Sequence, residues 1–162
     1  NMKIGVLSDT HLRTPNATLE HILEVIFADT DMILHAGDIV TRRVLDRLEE
    51  RGVIAVCGNM DDHEVADSLP PTRIIDAAGK RIGLIHGWGS GEGLAARILA
   101  RFGEDLPDVI VYGHSHDPFC GMVNGTYMFN PGSASRNRYL NTPTVGLIEI
   151  SDDTVTGRIV TL

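Results

Sequence analysis

Lys3-Ile4-Gly5-Val6-Leu7-Ser8-Asp9-Thr10-His11 is a strand-like apolar run that ends on a carboxylate and an imidazole. Four later runs repeat the arrangement. Met32 to Ala36 ends at Gly37-Asp38, Val53 to Cys57 at Gly58-Asn59, Arg81 to Ile85 at His86-Gly87, and Val109 to Tyr112 at Gly113-His114-Ser115-His116. In open α/β sheets, ligands bind outside the carboxyl ends of the strands. The chain is therefore expected to direct two aspartates, one asparagine and four histidines at one point in space. One such strand end would mean little; five in succession, most beside a small residue, are hard to attribute to packing.

The segments between these runs read as regular elements. Asn16 can cap a helix carrying Leu19, Ile22, Leu23 and Ile26 at helical spacing. Thr41 can cap another that buries Val44, Leu45 and Leu48 and stops at Gly52. Thr72 to Asp76 and Arg81 to Ile85 form a predicted hairpin, and Leu94 to Phe102 a third helix. Beyond Tyr112 the short strands Pro118 to Val123, Thr126 to Phe129, Thr144 to Ile150 and Thr154 to Val160 are separated by turns at Asn124-Gly125 and Ser151 to Asp153, as in antiparallel hairpins. Parallel βαβ units followed by an antiparallel half predict an α/β protein with two stacked sheets and helices outside.

Composition sets the bounds. The 162 residues suit one compact domain over residues 2–162, with Asn1 ahead of Met2 read as a leftover of expression. An apolar fraction of 43% with 22% charged residues is ordinary globular composition. No apolar run has membrane-spanning length and no signal-peptide pattern is present. Two isolated cysteines, Cys57 and Cys120, suit a reduced, cytoplasmic protein. A net charge of −8 argues against a large nucleic-acid surface, but bound divalent cations would reverse the field locally and admit a small phosphorylated substrate. A homo-oligomer is compatible with the composition.

The chemistry follows from the donors. Asp9 and His11 suit one metal ion, and Asp38 could bridge two through its two oxygens. Asn59 adds an amide oxygen, and His86, His114 and His116 add imidazoles. Mixed oxygen and nitrogen donors without thiolate favour Mn, Fe, Ni, Zn or Co over Ca or Mg. Taken singly, each block has a plainer reading: Asp9-Thr10-His11 as an Asx turn, Gly37-Asp38 and Gly58-Asn59 as turn signals. Only their joint occurrence at strand ends points to metal.

The succession Asp9-x-His11, Gly37-Asp38, Gly58-Asn59, His86-Gly87 and Gly113-His114-x-His116 resembles the calcineurin-like metallophosphoesterase family, with all five blocks in the family's order. The short chain and Asn130-Pro131-Gly132-Ser133 further resemble its small YfcE-type phosphodiesterase branch. The resemblance implies an α/β/β/α sandwich and two divalent ions, Mn first among the expected metals, typically ~3.5–4 Å apart. It places Asp9, His11, Asp38 and His116 on the first ion and Asp38, Asn59, His86 and His114 on the second, Asp38 bridging. Asp38, Asn59 and His114 would then serve catalysis through the ions, with a metal-bridging hydroxide attacking a small phosphodiester in line.

One position departs from the family pattern. Many members carry a leaving-group histidine directly after the metal-binding asparagine, whereas this chain has Met60, whose thioether transfers no proton. His63 is the candidate substitute, set against its reading as a surface histidine. His35, inside a strand, reads as buried and hydrogen-bonded, and His21 as solvated on a helix. Asp61 and Asp62 read as a solvated turn, and Gly87 to Gly93 as a mobile connection rather than a phosphate cradle. Ser133 and Arg136 are candidate contacts for a substrate anion. Two functional classes stand against each other: a metal-dependent phosphodiesterase, and a non-catalytic scaffold such as the retromer subunit of the same fold. The complete donor set favours the enzyme.

Overall fold

A computed structural model describes residues 1–135 and 142–162. The elements in chain order are β1 (Met2–Leu7), α1 (Ala17–His21) running into a π-helical segment (Ile22–Ile26), β2 (Met32–His35), α2 (Arg42–Glu50), β3 (Ile54–Ala55), α3 (His63–Ser68), β4 (Thr72–Ala77), β5 (Lys80–Ile85), α4 (Leu94–Phe102), β6 (Val109–Val111), β7 (Phe119–Val123), β8 (Thr126–Asn130), β9 (Thr144–Ser151) and β10 (Thr154–Thr161). They form two five-stranded sheets, ordered β10-β9-β1-β2-β3 and β4-β5-β6-β8-β7. The strands β1, β2 and β3 run parallel, with Leu7 beside His35 and His35 beside Ala55. So do β5, β6 and β8, with Val109 between Ile82 and Tyr127. Each sheet is closed by antiparallel strands, β9 and β10 on the first, β4 and β7 on the second.

Period-two alternation along the strands sorts the core into layers. Ile4, Val6, Leu34, Ile82, Leu84, Val109, Val111 and Ile148 fill the space between the sheets. Leu7, Ile33, Val145 and Leu147 face the other way, onto Leu19, Leu23, Val44, Leu45 and Leu48 of the helical layer. Ile85, Ile110, Tyr112 and Met128 pack on Ile98 and Leu99 of α4. The result is the expected α/β/β/α sandwich. No helix among the described residues is long and apolar enough to cross a membrane.

Three details differ from the sequence reading. Asn16 does cap α1, its Oδ1 accepting from Leu19 N at 2.9 Å, but the helix widens to π geometry after one turn. The Phe27 N–H reaches back five residues to Ile22 O, which rotates the Phe27 ring inward to lie fully buried against Gly5. A Cβ at Gly5 would stand 2.7 Å from that ring, so the glycine is what lets the helix approach β1. Second, the antiparallel strands do not form a separate half: the β7–β8 and β9–β10 hairpins edge different sheets, because β9 returns to pair with β1. Third, α3 had no reading of its own; its six residues bury only Val65, too few for a helical period to show. The Thr41 cap on α2 stands, and Arg47 on α2 holds Glu20 and Glu24 across the helical layer at 2.7 and 2.8 Å.

Candidate metal centre

The five loops that leave β1, β2, β3, β5 and β6 meet at one end of the sandwich, where the parallel strands of both sheets present their carboxyl ends. They are laced together by backbone hydrogen bonds: Asp9 N to Gly37 O at 2.9 Å, His11 N to Asp38 O at 3.1 Å and Gly113 N to His86 O at 3.1 Å. Asp9, His11, Asp38, His114 and His116 all have positive φ, between +48° and +71°. Aspartate and histidine tolerate this region better than most residues, yet it remains costly. Five such residues in one place mark a site whose backbone is held for something other than stability. The left-handed turns fold the side chains back over the strand ends into a cleft of about 580 Å³ lined by His11, Arg13, Asp38, Asn59, His114 and His116 among others.

All seven donors converge. Asp9 Oδ1 lies 3.2 Å from His116 Nε2 and 3.8 Å from His11 Nε2. Asp38 Oδ2 lies 3.1 Å from His11 Nε2 and 3.3 Å from His86 Nε2. Asn59 Oδ1 lies 3.0 Å from His86 Nε2 and 3.2 Å from His114 Nδ1. The tautomers decide what this arrangement can hold. His86 Nδ1 faces the Ala36 carbonyl at 2.8 Å and His114 Nε2 faces the Gly89 carbonyl at 2.7 Å; a carbonyl only accepts, so those nitrogens carry the protons. With both rings neutral, lone pairs of His86 Nε2, His114 Nδ1, Asn59 Oδ1 and Asp38 Oδ2 then face one another. A cation relieves this, and imidazoles that give their remote N–H to a carbonyl are the usual metal-binding form. The chain's residues therefore fit divalent metal. Asp9, His11 and His116 could hold one ion, and Asp9, Asp38 and His86 form a second triad.

The electrostatics agree. Burial disfavours charge on Asp38, but the facing His11 and His86 imidazoles and the Met60 N–H hold its carboxyl well below the usual carboxylate range. The Asp9 carboxylate raises His116 against opposing burial. Burial lowers His86, yet Asp38 and Asp9 outweigh it and raise its affinity for positive charge. One expectation needs correction: Asp38 does not face the two donor sets with two oxygens. Its Oδ1 accepts from Met60 N at 2.8 Å, and Oδ2 alone lies between His11 and His86. Asp9 also stands nearer the second set than expected, its Oδ1 3.9 Å from His86 Nε2.

The family model described as the calcineurin-like phosphoesterase superfamily domain matches residues 2–153. The chain belongs to that superfamily. It is 34% identical over 163 residues to a probable metallophosphoesterase of Methanothermobacter thermautotrophicus, covering 98% of this chain and 92% of the relative. It is 30% identical over 176 residues to the phosphodiesterase YfcE of Escherichia coli K12, covering 91% and 88%. Among solved structures, the zinc complex of Vps29 from Entamoeba histolytica matches with a TM-score of 0.70 at 25% identity, over 99% of each chain. The family reading drawn from the five strand-end motifs therefore holds.

In this member of the superfamily the glycines beside the donors do more than turn the chain. A Cβ at Gly37 would stand 2.7 Å from His86 Nδ1, one at Gly58 would fall on Asp38 Oδ1 and 2.6 Å from Asp38 N, and one at Gly113 would reach Asp9 Oδ2 at 2.6 Å. Each glycine thus makes room for a donor from another loop. Gly58→Ala is expected to displace Asp38, weakening metal binding at least ~10-fold and costing about 1–3 kcal/mol of stability, the usual penalty of overpacking. Calorimetric metal titration and thermal melts measure both; unchanged metal affinity would show that the carboxylate can move without cost.

The remaining candidates sort differently. Ser133 is buried and donates to the Asp9 carbonyl at 2.8 Å, so it does not contact a substrate anion. Asn130 donates to Gly113 O at 3.2 Å and to Ser115 Oγ at 3.1 Å, so the Asn-Pro-Gly-Ser segment is a strut behind the loops of Asp9 and His114. Arg136 lies outside the described residues. His35 is fully buried: its Nδ1 accepts from Gly37 N at 3.0 Å, Nε2 meets Thr10 Oγ1 at 3.1 Å, and burial pulls its pKa down to about 3. His21 is exposed, as expected.

Asp61 is not a solvated turn residue. Its two oxygens accept from Val40 N and Gly58 N, both at 2.6 Å, and brace the loops after β2 and β3. His63 is exposed on α3 and does not line the cleft, whereas Met60 and Asp62 do. The run Gly87 to Gly93 is tied down rather than loose, because Arg97 of α4 donates to the carbonyls of Trp88, Ser90 and Glu92. Arg13, at the cleft mouth, had no signal in the sequence, because nothing in its spacing relates it to the metal motifs.

Proposed function

We propose that the chain is a divalent-metal-dependent phosphodiesterase with two ions, Mn foremost, acting on a small substrate. The observation that carries this reading is the set of oxygen and nitrogen lone pairs turned toward one another between the loops, an arrangement that fits divalent cations. Asp9, His11 and His116 would hold one ion, Asn59, His86 and His114 the other, and Asp38 Oδ2 would join them. When bound, the ions would supply Lewis acidity and an activated water for in-line attack on phosphorus near neutral pH.

The protein groups around them favour a diester over a monoester. Among the described residues, Arg13 is the one arginine or lysine lining the cleft, and it is exposed. Asn59 contributes a neutral oxygen. Such a site suits a monoanion better than the dianion of a phosphomonoester, and the open cleft leaves room for a second ester arm. Free Cys57 and Cys120 fit a reducing, cytoplasmic setting.

The test is turnover of bis-p-nitrophenyl phosphate and p-nitrophenyl phosphate by the metal-loaded protein. The diester is expected to show at least ~10-fold higher kcat/KM, with loss on chelation and recovery on adding Mn. The scaffold reading, to which the likeness to Vps29 lends weight, gains the field if neither ester is cleaved with Mn, Fe, Ni, Zn or Co.

A further inference from the structure

A second groove, of about 310 Å³, opens beside the cleft and shares Asn59 and His86 with the metal centre. Its other walls include Pro71, Ile85, Trp88 and Arg101. Trp88 is 43% exposed, although an indole of that size is ordinarily covered. It is not a loose side chain on a loose loop: Arg97 Nε donates to its carbonyl at 3.0 Å, and the guanidinium carbon lies 6.0 Å from the ring centroid. The backbone that carries the ring is therefore held before anything binds, which reduces the entropy lost on binding. Arg101 is exposed at the same groove and has no hydrogen bond or ion pair among the described residues. In a chain of net charge −8, a cation without a partner among the described residues, beside an exposed aromatic ring, fits an anion that carries a ring.

We propose that this groove binds one arm of the substrate, a nucleotide whose base stacks on Trp88 while an anionic group pairs with Arg101. The inference rests on the phosphodiesterase reading for its catalytic meaning, but the groove binds its ligand whether or not hydrolysis follows. Three observations select this ligand. The indole gives a planar ring a face to stack on, and base stacking on aromatic side chains tolerates any base. Arg101 offers the planar, donor-rich fork that suits a phosphate oxygen pair. Asn59 and His86 on the shared wall place the groove's inner end at the metal centre, so a ring seated here keeps its ester within reach of the metal donors. The net charge of −8 favours a small nucleotide over a long nucleic acid, whose further phosphates would meet an acidic chain.

Trp88 is the only tryptophan of the chain, so its fluorescence reports on the groove alone. Adenosine 5′-monophosphate is titrated into the full chain, once with its metal retained and once after chelation. Chelation leaves Asp9 and Asp38 repelling the phosphate, so that Arg101 is the one arginine or lysine of the groove lining left to pair with it. Saturable quenching is expected in both states. After chelation, Arg101→Gln should raise the dissociation constant at least ~10-fold, and adenosine should bind more weakly than the monophosphate by a similar factor. Inorganic phosphate should leave the fluorescence unchanged.

The proposal is overturned by the absence of saturable quenching in both states, by an Arg101→Gln variant with unaltered affinity, or by equal quenching with inorganic phosphate. A single-stranded oligonucleotide that binds more tightly than the monophosphate overturns the small-molecule assignment. Turnover of bis-p-nitrophenyl phosphate, measured on the same preparation, reports separately on the phosphodiesterase reading.

Discussion

Asp38→Asn is expected to strip both ions from the protein and to lower diester turnover by roughly 10³-fold or more, the equivalent of about 4 kcal/mol of lost Lewis-acid stabilisation. The reason lies in how the carboxylate is held. Oδ1 is committed to the Met60 N–H at 2.8 Å, and only Oδ2 faces His11 and His86. An asparagine can keep the Met60 bond with its oxygen, but its NH₂ then points two donors where a lone pair stood. Flipped, it offers the lone pair to the cleft and sets its NH₂ against the Met60 N–H. Neither orientation serves both demands, so both donor sets lose their shared oxygen. The controls are His116→Gln, which belongs to the first set, and His86→Gln, which belongs to the second; each is expected to lose mainly one ion. Elemental analysis of the purified variants gives the metal per chain, independent of activity. Retention of one full ion by Asp38→Asn would show that Asp38 serves a single set.

Much of this centre was legible in the sequence because its donors sit where strands end, and strand ends are marked by the change from apolar runs to Gly, Asp, Asn and His. The α/β/β/α layering was legible for the same reason, since alternation along Lys3 to Leu7 or Val109 to Tyr112 sorts the side chains onto two faces without reference to the rest of the chain. What stayed hidden depends on contacts between loops. The choice of Asp38 Oδ2 over both oxygens is made by the Met60 backbone, and the brace at Asp61 by the N–H groups of Val40 and Gly58. Ser133 read as an anion contact because hydroxyls do bind anions; only its burial behind Asp9 shows that it props the loop instead. The π-helical turn at Ile22–Ile26 was invisible because the periodicity of its apolar residues fits an α-helix, and the Phe27 ring that follows it packs on Gly5 of another element. The left-handed backbone at Asp9, His11, Asp38, His114 and His116 gives no signal in residues that also populate ordinary turns.

The rate of ester cleavage is expected to depend steeply on the leaving group. Ions can neutralise charge at phosphorus, but protonating a departing alkoxide needs an acid within hydrogen-bond reach, and the cleft offers no free one among its histidines. His86 and His114 spend their protons on the carbonyls of Ala36 and Gly89, and His11 and His116 face the carboxylates of Asp38 and Asp9, where they would be taken up by metal. The side chain at the mouth is that of Met60, 59% exposed and without a transferable proton. General acid catalysis typically contributes ~10²–10⁴-fold and matters most for strongly basic leaving groups. Bis-p-nitrophenyl phosphate, which releases a weakly basic phenolate, should therefore be cleaved readily, and alkyl diesters slower by a factor in that range. Met60→His should recover part of the alkyl rate selectively, because position 60 anchors Asp38 through its backbone N–H, which any residue but proline supplies. Plotting log kcat/KM against leaving-group pKa for both proteins measures the effect. A flat plot for the unmodified protein, with chemistry rate-limiting, would reveal another acid. Asp62, which lines the cleft, would then be the residue to replace, ahead of His63, which points into solvent from α3.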